Sequence, residues 1–310
     1  MECNTVKSFT MDIEFRNRLF ALIAPIFWSL TGLVIRLLEE ADEWQVNFYR
    51  SSSLAIFLLA YLGLKYRSKC WEVIWASGRK AMLGGFFIGI AMFCNIIAMQ
   101  HTTIANATMV MATGPIIAAL LGRVLLGELV SRMTWFAIAL AATGLTIMVG
   151  GNPIVGSLFG DLIALFGMLG FGLYVIVLRQ GKTIDMTPAI LFAGLFSALL
   201  SALVAMTIGK GLLIPAQEIA MCAGLGVVQL GIGSILFAFA SVTVPAVELT
   251  LFALGEPLLA PVWVWLVVEE VPSMSSFIGG GLLMIALITH LFANNIGREK
   301  AADNLADSAR

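Results

Sequence analysis

The sequence predicts an all-α integral membrane protein with ten transmembrane helices in two inverted five-helix repeats. Three observations lead there. The composition is 60% hydrophobic and only 12% charged, with a mean hydropathy of +0.97, whereas a soluble domain carries about a quarter charged residues. The apolar residues fall into ten long runs, and one pattern of glycine, proline and glutamate occurs twice, 142 residues apart.

A helix crossing about 30 Å of hydrocarbon needs roughly 20 mostly apolar residues. The runs at 18–38, 45–65, 80–100, 102–125, 133–150, 158–178, 187–208, 218–240, 243–267 and 274–295 meet that need. Transmembrane strands would alternate over about ten residues, and these runs are apolar on nearly every face. The first 18 residues mix Glu2, Asp12 and Glu14 with Lys7, Arg16 and Arg18, and no small-residue cleavage site follows. The first helix is therefore expected to stay in the protein.

Lys and Arg set the orientation. With the N-terminus inside, fifteen of the 18 basic residues lie in inside segments, Arg36 and Lys210 lie outside, and Arg50 is within a helix. The first outside loop is the acidic "EEADE". Both termini are expected on the cytoplasmic face of the cell inner membrane. Cys3, Cys70, Cys94 and Cys222 are scattered, so no disulfide, metal site or cofactor is expected. No nucleic-acid footprint is visible, and the partners expected are a small-molecule substrate, the lipid bilayer and protons, in a monomer or homodimer.

Sliding the chain by 142 superposes Gly84 on Gly226, Gly89 on Gly231, Ala98 on Ala240, Pro115 on Pro257 and Glu128 on Glu270; sliding by 143 puts Arg36 on Arg179. The segments read as an N-terminal tail 1–17, a first repeat 18–150, an external linker 151–157, a second repeat 158–295 and a C-terminal tail 296–310. Five helices per repeat is an odd number, so the second copy enters the membrane upside down. Inverted copies are transporter architecture, able to expose a central site to each side in turn.

The candidate residues are those that cost most in a bilayer. Pro115 and Pro257 would kink matched helices, either for gating or for packing alone. Glu128 and Glu270 read as solvated helix ends. Glu256, near the middle of the 245–267 run, is a candidate proton carrier or a protonated packing residue beside the Pro257 kink. Arg50 either snorkels to the external interface or faces the cavity, paired with Glu256 or a substrate carboxylate. Glu248 is a second station or an interfacial charge. Trp28, Asn95, Tyr174 and Gln229, with His101 and Asn106, are candidate cavity linings or packing residues. The glycines of "GMLGFG" and "GGG", with Gly85 and Gly89 at GxxxG spacing, suit close helix contacts.

The stretch "TTIANATMVMATGPIIAALLGRVLLGELVSRMTWFAIALAATG" resembles the EamA-type domain of the drug/metabolite transporter superfamily. "VPAVELTLFALGEPLLAPVWVWLVVEEVPSMSSFIGGGLL" resembles its second copy, and "FYR" at 48–50 the family's second-helix arginine. The resemblance spans about 18 to 295 and implies a central cavity between the halves. It also implies transport of amino acids, nucleotide-like metabolites or drugs without ATP hydrolysis, frequently as export. Glu269 stands where the pattern has glycine, and Glu256 precedes the proline, so the two halves need not be equivalent in function.

The expected function is secondary active transport of a small organic solute, coupled to protons through Glu256. A passive channel or facilitator, or a non-transporting receptor or scaffold, is the alternative. No HExxH, GxSxG or P-loop occurs, so no enzyme is expected.

Overall fold

The computed structural model describes residues 2–35, 37–101, 110–148, 158–269, 271 and 273–308, with side chains described from 13 to 291 apart from 96, 99 and 100. Among these residues the chain is all helical, without a strand. Apolar side chains point outward from most helices, Leu64, Leu120 and Leu199 among them. A helix satisfies its own backbone, so such surfaces suit lipid.

The helices are α1 (Glu2–Trp28), α2 (Leu30–Ile35), α3 (Glu43–Tyr66), α4 (Cys70–His101), α5 (Gly114–Leu125), α6 (Arg132–Met148), α7 (Leu158–Gln180) and α8 (Thr187–Thr207). Then follow α9 (Ala216–Gly224), a π-helical stretch (Leu225–Ile232), α10 (Gly233–Ala240), α11 (Ala246–Ala253), α12 (Gly255–Val268) and α13 (Met274–Ser308). Six stretches among the described residues are long and apolar enough to cross a membrane: Ile13–Ile35, Leu158–Gln180, Thr187–Thr207, Ala216–Ala240, Ala246–Val268 and Met274–Leu291. The start of the run at 102–125 lies outside the described residues.

Local chemistry sets the ends. Asp42 caps α3: its Oδ1 accepts from Gln45 N at 2.9 Å, and Gln45 Oε1 accepts from Asp42 N at 2.9 Å, a reciprocal capping box. Gly78, at φ 53°, breaks α4 into a short segment and a long one. Positive φ is ordinary for glycine and costly for most other residues.

At Pro115 and Pro257 the helices are interrupted just before the proline, not kinked around a proline in the helix interior. Pro115 sits in the first turn of α5, after a turn at 112–113; Pro257 sits in the first turn of α12, after a turn at Leu254. In a first turn the missing N–H costs no hydrogen bond. The run 18–38 is also divided, at Ser29.

Glycines fix the packing. A Cβ on Gly85 would overlap Phe192 and the Ala189 carbonyl, so α4 and α8 cross at backbone distance. Gly144 and Gly279 do the same for α6 and α13. The other main pairings are α3 with α8, α4 with α7, α1 with α10, and α5 with α11.

Candidate functional site

The break at Ser29 frees the carbonyl of Trp28, which accepts from Thr31 Oγ1 at 2.9 Å and from Gln229 Nε2 at 3.4 Å. Gln229 comes from the π-helical stretch; such irregular turns often occur at functional sites. The Trp28 indole packs at a tilt against Phe237, centroids 5.0 Å apart, and meets Phe171 edge-on at 6.4 Å, and Phe171 continues to Tyr174 at 6.4 Å. Gly233 makes room for this ring, since a Cβ there would lie 2.6 Å from Trp28 Nε1.

Arg50 lies on α3, beside α9 and the π-helical stretch. Its Nη2 donates to Asn47 Oδ1 at 2.9 Å, and its guanidinium lies within electrostatic reach of Glu256 and Cys222. Glu256, in the first turn of α12, forms no hydrogen bond or ion pair among the described residues. Among the described residues, three polar atoms in this interior are buried and unpartnered: Trp28 Nε1, Arg50 Nε and Gln229 Oε1. A buried polar atom left unmatched costs roughly 1–3 kcal/mol, so such groups are expected to find a polar partner such as water or a solute. The donors and the acceptor come from α1, α3 and the π-helical stretch, with a carboxylate from α12 nearby.

The remaining candidates stand elsewhere. Glu248 is committed to an ion pair: its Oε1 is 3.0 Å from Arg18 Nε, and its Oε2 is 3.9 Å from His290 Nε2. That places it with α1 and α13 rather than beside Arg50. Asn95 is exposed and joins none of the contacts above. His101 meets Phe159 edge-on at 5.2 Å. Asn106, Arg36 and Glu270 lie outside the described residues.

Glu128 is no free helix end. Its Oε1 accepts from Arg179 Nη2 at 2.6 Å and Nε at 3.0 Å, and its Oε2 accepts from Ala246 N at 3.0 Å. Arg179 Nη1 also donates to the carbonyls of Ser241 and Val242, at 3.0 and 3.1 Å. Nearby, Asp185 accepts from Lys65 Nζ at 2.8 Å, from Tyr66, and from the amide and hydroxyl of Thr187. Burial opposes ionisation of Asp185, but those bonds outweigh it and hold the carboxyl below its ordinary range. A cleft of about 270 Å³ opens there between Lys65, Asp185, Phe239 and Val242.

Sequence reading missed Asn47, Phe171 and Phe237. Asn47 carries one faint signal, lying one helical turn before Arg50. Among the described residues no group of three His, Cys, Asp or Glu could hold a metal ion.

The comparisons agree with this architecture. A solved crystal structure superposes with a TM-score of 0.75 at 18% identity, covering 90% of this chain and 98% of that one. The uncharacterized transporter YwfM of Bacillus subtilis is 25% identical over 284 residues, 87% of this chain and 92% of that protein. An uncharacterized transporter of Vibrio cholerae is 27% identical over 155 residues, and that match spans 47% of this chain and 48% of the other. The model of the EamA-like transporter family matches residues 17–150 and again 158–292. With both stretches matched, the chain belongs to the EamA-like transporter family.

Proposed function

We propose that this multi-pass membrane protein is a secondary transporter that moves a small organic solute by alternating access, with Arg50, Glu256, Trp28, Gln229 and Tyr174 along the solute path. The observation that carries the reading is the set of buried, unpartnered atoms: Arg50 Nε and Trp28 Nε1 as donors and Gln229 Oε1 as acceptor. A scaffold gains nothing from that arrangement, whereas a solute bearing an acidic group and an apolar surface would match the guanidinium and the rings of Trp28, Phe171 and Phe237.

Ten helices in two inverted halves, 18–150 and 158–295, are part of the proposal. The pairings support them: α4 against α7 is matched by α10 against α1, while α3 pairs with α8 and α6 with α13. The breaks at 112–113 and at Leu254 also stand at equivalent positions. We place both termini in the cytoplasm and the protein in the inner membrane, with export as the direction. Protons are the proposed coupling ion, loaded on Glu256, which has Arg50 in electrostatic reach and no hydrogen bond among the described residues.

A thermal-stability screen of the purified protein against a metabolite library tests the site. A compound at 100 times its Kd stabilises by about 2.7 kcal/mol. At least one organic acid should raise the melting temperature of the wild type and leave Arg50→Ala unmoved. Hits that stabilise both proteins equally would place the solute elsewhere.

A further inference from the structure

Arg50 is held at both ends. Its backbone carbonyl accepts from Ser53 Oγ at 3.0 Å and lies so near Gly226 that a Cβ there would overlap both groups. Its Nη2 is held by Asn47 Oδ1 at 2.9 Å. Asn47 is fully buried, and its Nδ2 donates to Ser197 Oγ at 2.9 Å and to Ser201 Oγ at 2.7 Å, both on α8. Ser51 Oγ adds a bond to Ser197 Oγ at 3.1 Å.

This polar group sits where α3 and α8 cross closely, since a Cβ on Gly194 would lie 2.9 Å from the Ser51 carbonyl oxygen. An amide has one acceptor and one NH2 group. With both N–H bonds directed at serine hydroxyls, its oxygen faces Arg50. Flipping the amide would set its NH2 against a guanidinium that has only donors.

We propose that Asn47 is a positioning residue: Ser197 and Ser201 orient its amide, and the amide fixes the Arg50 guanidinium so that Nε and Nη1 stay available to the solute. The proposal rests on the reading of Arg50 as a solute-binding group and assigns a role to three residues outside that site. A guanidinium already held in place loses less freedom when an anion binds.

The test needs no solute. In protein labelled with 15N-arginine in micelles, the Arg50 Nε–H resonance is identified by its loss in Arg50→Lys. In the wild type this proton should exchange slowly with water. Asn47→Leu should shift the resonance and speed exchange about tenfold or more, because an opening that no longer breaks the tether is easier. Ser197→Ala combined with Ser201→Ala should act in the same direction, with little change in volume, and carries the test if Asn47→Leu does not fold. Asn47→Asp keeps an acceptor facing Arg50 and should restore wild-type protection. Unchanged resonance and exchange in the folded variants would overturn the proposal. Arg50→Ala in the library screen judges the solute site separately, so the two failures are distinguishable.

Discussion

Arg179 grips Glu128 with two nitrogens, Nη2 at 2.6 Å and Nε at 3.0 Å from the same oxygen, across 51 residues of sequence. The other Glu128 oxygen caps Ala246 N at the start of α11, so one carboxylate ties the loop after α5 to α7 and to the broken pair α11–α12. The two side chains are 14% and 19% exposed, which leaves the pair only partly screened.

Glu128→Ala removes the acceptor of three N–H groups. The expected loss is roughly 1–3 kcal/mol, read from thermal unfolding in detergent. Glu128→Gln keeps an acceptor for Ala246 N and should lose less. A change below about 0.5 kcal/mol in Glu128→Ala, the size expected of an ordinary surface substitution, would contradict the tie.

Asp185 predicts a pH dependence. Its folded pKa lies below the ordinary carboxylate value of about 3.9, so its stabilising effect is complete above that value and fades as pH falls through the lower folded one. Asp185→Asn should therefore melt below the wild type by a constant margin from neutral pH down to about pH 5, and the margin should narrow below about pH 4. A margin that widens on acidification would show the opposite sign.

Gly279 and Gly281 make a paired test within α13. A Cβ on Gly279 would overlap the Gly144 carbonyl and the Met148 amide, which belong to backbone and cannot swing aside, whereas Gly281 has nothing within 4 Å. Gly279→Ala should cost about 1–3 kcal/mol. Gly281→Ala should be neutral or gain up to about 1 kcal/mol from helix propensity. Equal melting temperatures for the two variants would refute the close crossing of α6 and α13.

Much of the fold is legible in the sequence because lipid leaves few choices: apolar runs become helices, and glycines mark where helices approach. The character of the breaks is less legible. Pro257 signals an interruption, but whether it bends a helix or opens one depends on the turn at Leu254, which periodicity does not reveal. The site is legible only in its costly members. Arg50 and Glu256 stand out as charges in apolar runs, and the fold brings them within electrostatic reach. Phe171 and Phe237 vanish among equally apolar neighbours. Glu248 stands out too, yet its partner Arg18 lies on another helix, and pairing across the fold leaves no mark at either position.

Pro257→Ala restores an amide that can bond to the Ala253 carbonyl and bridge the turn at Leu254. The straighter helix should still fold, with expression largely intact, but exchange should be several-fold slower if the break belongs to a moving element. Wild-type exchange in that variant would reduce Pro257 to a packing residue.

Counterflow in proteoliposomes tests alternating access most directly, using a labelled solute taken from the stability screen. With unlabelled solute inside, wild-type vesicles should accumulate label transiently above its equilibrium level, and Arg50→Ala vesicles should not. Glu256→Gln should still show this overshoot but lose accumulation driven by a pH gradient, since the amide carries no proton. If wild-type vesicles only fill to equilibrium, at a rate indifferent to the solute inside, the protein is a passive pathway and the account is wrong.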